Sequence, residues 1–452
     1  MQAKGHHDGW HRRQANRSVG LGHCLALSLC HHAPLRILID SRLTPQIDGG
    51  VEQVIEGLAD GFAAQLDRDM DITFLTRHPA PPSLLGRRSS SLAVREVQPS
   101  SRRRSTVRRI VGQMPLAHAA HRLIAGGGVL ALQDALVGED DFDVVHLAVQ
   151  NGFRPSVPYV YSPYDLQHLH HPEFFTPGER KARERTYGPL ASGASAVVVH
   201  TRWSARDACA RLRVPPTRVL VVPLGVRPAQ PADPGQDARA RAVLGIATGD
   251  YALYPAQTWQ HKNHLRLLEC IAQLRDGGLP IRVVCTGNQD QHFPRIQHQI
   301  DRLGLSALVH FTGFVRSSDL RSLYAGARCL IFPSLFEGWG MPVFDALASG
   351  LPVAATNCCG LGEVLGDAAE TFDPANVSDM SASLRRLWTD EARRAAVVRA
   401  GHRLASTLTW DHTCRTLSAI YREIADAPPL DGDIDLLRRA SSWREPSKPK
   451  VD

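Results

Sequence analysis

Lysine is almost missing from this 452-residue chain. Five lysines stand against 47 arginines, and from Ala182 to Ser447 the single lysine is Lys262. Where Arg serves nearly every cationic position, one Lys marks a site that needs a compact ammonium. Cys-x-x-Cys pairs are missing too. The nine cysteines are scattered, which argues against a structural zinc site or a secreted disulfide framework and fits reduced thiols in a cytosol. No window approaches 18 uninterrupted apolar residues, so no membrane-spanning helix is expected. Zinc-finger spacing, an aromatic-glycine RNA-binding strand and a basic helix leading into heptads are also absent, so nucleic acid is not an expected partner.

What is present is ordinary globular chemistry. Hydrophobic residues make up 43% and charged residues 21%, which excludes a disordered chain or a coiled-coil rod. The length suits two domains. The net charge of +7 is unevenly placed. Between Arg77 and Gln133 ten arginines face one acid, Glu96. A solvated face explains such a patch; contact with a membrane surface or a lipid diphosphate is the sharper alternative.

Alternating short apolar runs and helical periods indicate a mostly parallel sheet. Strands are expected at Leu35–Asp40, Asp71–Leu75, Val144–Leu147, Val157–Tyr161, Ala196–Val199 and Val219–Val222. Val51, Val54, Ile55, Leu58, Phe62 and Leu66 fall at helix spacing and bury one stripe. The stretch from Arg77 to about Gly128 reads as a long loop with short helices, and Pro228–Asp237 as a linker. A second series begins at Tyr251–Pro255 and continues through Ile281–Thr286, Val309–Thr312, Cys329–Pro333 and Pro352–Thr356. The fold expected is α/β, with two doubly wound Rossmann-like domains facing an interdomain cleft. Residues 1–34 read as a disordered extension, 35–226 as the first domain and 227–407 as the second. Residues 408–426 would form a closing helix and 427–452 a disordered tail.

The most informative stretch is Phe332 to Thr356, FPSLFEGWGMPVFDALASGLPVAAT. A strand ends, a loop carries Glu337, Gly338 and Gly340, and Pro342 suits the first position of a helix that Gly350 closes. Glycines let a ligand approach the backbone. The free N–H groups of the helix start favour an anion, by roughly 0.3–2 kcal/mol. A carboxylate beside an anion site needs another purpose, and accepting hydrogen bonds from sugar hydroxyls is one.

This pattern resembles the retaining glycosyltransferases of family 4, which have the GT-B fold. Their paired acids, with seven residues between them and followed by a helix like EAMASGTPVV, fall on Glu337 and Asp345, with Asp where the family has Glu. The resemblance implies that Glu337 contacts the donor sugar and Asp345 a ribose hydroxyl. Tyr254–His264 resembles the strand and loop that grip the donor diphosphate, with Lys262 at the basic position and Gln257 where many members carry Arg. His310–Val315 resembles the segment near the nucleobase. By the same resemblance the donor site takes in Gly49, Gly50, Phe314, Val315, Gly338, Gly340, Met341 and Pro342. Glu363 matches a family acid near the donor, although a helix-start acid serving the local dipole explains it equally. Tyr164–Phe175 resembles a segment reading HDLQHLHxPEFF, with Tyr164 where the family often has His. Asp165 and His168 are then candidates for acceptor contact beside Tyr164, and Asp165, Lys262 and Glu337 for catalysis.

The resemblance implies a retaining transfer of a hexose from a nucleotide-diphosphate sugar to a glycan or lipid-linked acceptor. Mannose in bacterial surface polysaccharide synthesis is one version. It implies no metal and no cofactor beyond the sugar nucleotide. His168, His170 and His171 are not spaced as one zinc face. The expected location is the cytoplasm, with contact to the inner membrane face through Arg77–Gln133. An epimerase of the same fold and a non-catalytic sugar-nucleotide binder are the rivals.

Overall fold

A computed structural model describes residues 33–43, 49–65, 69–77, 79–87, 91–97, 141–228, 234–246 and 250–444. Two parallel sheets organise them. The first lobe runs β1 (Leu35–Asp40), α1 (Gly49–Ala64), β2 (Met70–Arg77), α2 (Pro82–Leu85), β3 (Leu92–Val97) and β4 (Val144–Leu147). It continues with β5 (Tyr159–Tyr161), α3 (Gln167–His170), α4 (Pro177–Gly193), β6 (Ala196–Val199), α5 (Arg202–Leu212) and β7 (Val219–Val221). Its strand order is β3-β2-β1-β4-β5-β6-β7. Leu38, Val145, Val160 and Val197 are all buried, as expected for a parallel sheet covered on both faces.

The second lobe runs α6 (Pro234–Val243), β8 (Ala252–Pro255), α7 (His264–Asp276), β9 (Val283–Thr286), α8 (Phe293–Leu303), β10 (Val309–Phe311) and α9 (Ser317–Gly326). It ends with β11 (Cys329–Phe332), α10 (Met341–Ala348), β12 (Val353–Thr356), α11 (Cys359–Leu365), β13 (Glu370–Phe372), α12 (Val377–Thr389) and α13 (Glu391–Thr407). The order is β10-β9-β8-β11-β12-β13. The direction of winding reverses between β1 and β4 in one sheet and between β8 and β11 in the other. Ligands of doubly wound sheets sit at such points, beyond the carboxyl ends of the strands.

The chain crosses between lobes twice, and the crossings lie side by side, with Val226 N donating to Leu408 O at 2.9 Å. Helix α14 (Trp410–Ile424) then packs on α1. Trp410 lies against Gly57 and Gly225, leaving no room for a Cβ at either. Cys414 Sγ reaches Leu58 O at 3.6 Å, and the Tyr421 hydroxyl bonds His146 Nδ1 at 2.7 Å inside the first lobe.

Four expectations are corrected. The expected disordered tail carries α15 (Asp433–Ser441) instead. Arg422 and Asp433 pair there at 3.1 Å, both side chains 6% exposed. Trp443 Nε1 donates to Val219 O at 3.0 Å, and Ala440 is buried. Polar composition hid an amphipathic helix. The stretch read as a loop after Arg77 contains β3, an edge strand parallel to β2 with Leu92 and Val97 buried. Its intervening charged residues masked the alternation. The linker gives way to α6 at Pro234, because proline suits a helix start as well as a break. Both β13 and α13 fall where no element was expected. Residues 1–32, Asp48 and 98–133, which hold the extension and most of the basic segment, lie outside the described residues, as do 445–452.

Candidate active site

Lys262 and Glu337 follow β8 and β11, the two strands that flank the reversal in the second sheet. The backbone turns sharply to place the lysine. Gln260–Lys262 is one 3-10 turn, Asn263 adopts a left-handed φ of 60°, and α7 starts at the next residue. Asn263 Nδ2 fixes this turn by donating to Pro333 O at 2.9 Å and Pro374 O at 2.8 Å. Tyr254 also donates its hydroxyl to Lys262 O. The lysine Nζ donates to Glu337 Oε1 at 2.6 Å, with the side chains 16% and 12% exposed. The predicted ammonium and carboxylate therefore meet directly. Charge-assisted bonds of this kind are about twice as strong as neutral ones.

Gly340 has φ of 90°, and helix α10 begins beside it with Met341 and Pro342 in its first turn. Met341 N–H has no helical partner at this start, Pro342 has no N–H, and Val343 N donates to Gly340 O at 2.9 Å. Asp345 lies one turn inside and is partly exposed. Burial pushes its carboxyl up to about 6, while Arg227 pulls the other way. Arg227 also pairs with Glu56 of α1, and α1 and α10 are in contact. At Gly50 a Cβ would meet nothing within 4 Å, so the first turn of α1 is open.

The first lobe reaches the pair through the loop after β5. Gly338 lies against Tyr164, and a Cβ on it would sit 2.5 Å from the Tyr164 carbonyl oxygen and 3.4 Å from Asp165 Cβ. Tyr164 has φ of 61° and donates its hydroxyl to Ala148 O at 2.9 Å. Burial raises the Asp165 carboxyl against the opposing pull of Arg183; lesser contributions come from Glu337, which raises it, and Lys262, which lowers it. Asp165 thus shares an electrostatic environment with the pair.

Other predicted residues lie elsewhere. His168 is 2% exposed and stands edge-on to Tyr187 at 4.9 Å. Burial pushes it down to about 4. The short α3 places it inward, against Tyr187 of α4. Glu363 bonds the start of α5 across the lobes, accepting from Arg202 N at 3.0 Å and Arg206 Nη2 at 2.7 Å. Phe314 is 52% exposed on the loop after β10, and Val315 packs at the rim of the core.

Sequence reasoning missed His200 and Phe336. His200 is the residue after β6, and its Nδ1 donates to Val222 O at 2.9 Å. Phe336 is buried against His170 at 4.9 Å and Trp203 at 5.5 Å, which ties the Glu337 loop to the first lobe. The run of apolar and aromatic residues around Glu337 was the only signal for it. Among the described residues no cluster of three or more His, Cys, Asp or Glu could hold a metal ion, and no helix is long and apolar enough to cross a membrane.

Two facing parallel sheets with a charged pair at the reversal point define a GT-B glycosyltransferase. The chain belongs to glycosyltransferase family 4: the Glycosyltransferase Family 4 model matches residues 48–230 and the Glycosyl transferases group 1 model residues 237–403. The O-antigen chain mannosyltransferase B of Escherichia coli is 24% identical over 259 residues, 57% of this chain and 68% of that protein. The D-inositol 3-phosphate glycosyltransferase of Salinispora tropica is 29% identical over 326 residues, 66% of this chain and 67% of that one. The fold matches the Anabaena protein HepE, solved in complex with UDP and glucose, with a TM-score of 0.64 and 17% identity over 86% of this chain and all of that one.

Proposed function

We propose that this glycosyltransferase moves a hexose, with retention, from a nucleotide-diphosphate sugar to a glycan or lipid-linked acceptor. Mannose in surface polysaccharide synthesis is the version its E. coli relative's name favours. The observation that carries the reading is the Lys262–Glu337 pair at 2.6 Å beside the start of α10. An ammonium and unpaired amides suit a departing diphosphate, and a carboxylate within reach suits the sugar hydroxyls. Lys262 would exchange its Glu337 contact for the diphosphate, or share itself between them. Gly49 and Gly50 at the open start of α1 would add amides, and Asp345 would take the ribose.

Asp165 faces this point from the first lobe, and its raised carboxyl suits a contact with the acceptor hydroxyl. This reading calls on no metal and on no cofactor beyond the sugar nucleotide. Charge stabilisation at the leaving group is the main demand, and enzymes of this kind must supply on the order of 8 kcal/mol or more. The work would be done in the cytoplasm, with the arginines of 77–133 toward the inner membrane face; binding to anionic vesicles that salt abolishes would support that placement. The core test is transfer by Lys262→Ala and Glu337→Ala, screened with GDP-mannose, UDP-glucose and related donors. Each should lose about a hundredfold or more while staying folded. Near-normal rates in both would end the reading, and conversion of donor alone to an isomer would favour an epimerase.

A further inference from the structure

We propose that His200 and Trp339 together hold one hydroxyl of the donor hexose across the seam between the lobes. This rests on the reading above and names a further positioning pair for the same reaction. His200 is the residue after β6, at the carboxyl edge of the first sheet. Trp339 stands in the loop between Gly338 and Gly340 of the second lobe. Their rings are 6.3 Å apart, edge to face, and His200 also lies 5.3 Å from the Tyr164 ring. The seam is closed tightly here: a Cβ on Gly360 would meet Gly338 O at 2.5 Å and Thr201 Oγ1 at 2.6 Å.

Both side chains are more than nine-tenths buried, and each keeps one polar atom without a hydrogen-bond partner, His200 Nε2 and Trp339 Nε1. An unsatisfied buried polar group costs roughly 1–3 kcal/mol, so two on facing rings call for an explanation. The chemistry of the two atoms is complementary. Burial pushes His200 down to about 4, so the ring is neutral at pH 7. Its Nδ1 can only donate to the Val222 carbonyl, which leaves Nε2 as an acceptor. The indole N–H is a donor only. An acceptor and a donor brought together by two lobes suit a group that both donates and accepts. A hydroxyl is such a group. The neighbouring Glu337 is the residue read as gripping the hexose, which assigns the hydroxyl to the donor sugar.

The test compares GDP-mannose with its monodeoxy analogues, or UDP-glucose with its analogues if only that donor is consumed, by KM and kcat. The wild type should lose about tenfold or more in kcat/KM for one analogue. His200→Ala and Trp339→Phe should raise KM for the parent donor by about three- to tenfold with kcat less affected. Both should erase the penalty for that one analogue only. His200→Gln, which keeps an acceptor near the Nε2 position, should restore part of it. If both variants keep the full penalty against every analogue, the orphan atoms serve packing or a fixed water and the proposal falls, while the reading of the function stands. A wild type that transfers or hydrolyses no donor would overturn both.

Discussion

The two lobes share a sheet architecture but meet the cleft with opposite chemistry. The second lobe presents charge: Lys262 on Glu337, the start of α10 without a side-chain cap, and Asp345. Beside Asp165, the first lobe holds neutral, buried groups behind its edge. His146, His168 and His200 are all held near or below pH 4 by burial. His146 is fully bonded, to Tyr421 and to Ser162 Oγ at 2.9 Å. The Lys262–Glu337 pair is itself largely buried, with side chains 16% and 12% exposed, which strengthens the interaction between the charges.

The largest way to break this contrast is to unseat the helix that completes the neutral wall. Trp410→Ala empties the notch formed with Gly57 and Gly225. Large aromatic deletions cost about 3–5 kcal/mol, so the urea midpoint should drop sharply, first in the unfolding of the first lobe. The charged wall comes next. Exchanging the pair, Lys262→Glu with Glu337→Lys, should recover the stability lost in either single variant. It should leave transfer down by about a hundredfold or more. An ion pair that only braces the loop would regain activity on exchange.

Asp345 sharpens the comparison through pH. Its carboxyl is raised to about 6 by burial, against an ordinary value of 3.8. A raised acid favours its protonated form in the folded state, so its charge weakens the fold above that range and costs nothing below the ordinary value. Asp345→Asn should therefore raise stability by about 1–2 kcal/mol at pH 8. The gain should shrink as pH falls through 6 and vanish below about 4, in thermal melts at each pH. If nucleotide binds through this carboxylate, the same variant weakens nucleotide affinity. The smallest effect belongs to Glu363→Gln. Its Arg206 contact is half exposed, and exposed pairs contribute about 0.2–1 kcal/mol. Donor KM should shift by no more than about threefold.

The charged wall was legible in the sequence because its parts are local. Glu337, Gly340, Pro342 and Gly350 report a strand, a turn and a helix start within twenty residues, and Lys262 stands out by composition alone. The neutral wall was not. His200 and Trp339 matter through which atoms lack partners, and that depends on two lobes meeting. His168 was read from a motif, and its edge-on packing against Tyr187 was not legible there. Edge elements such as β3 and α15 were hidden by charged residues on their solvent faces, where burial no longer imposes a pattern.

The return of α14 to α1 has a consequence for synthesis on the ribosome. Residues near position 410 fill gaps between residues near 57 and 225, so the half made first cannot close its interior when its own strands emerge. It must wait for the other half to be translated. Until then Gly57, Cys414's future neighbour Leu58 and the His146 ring face solvent or a chaperone, and truncation before Trp410 should yield a nascent chain that aggregates rather than an isolated domain.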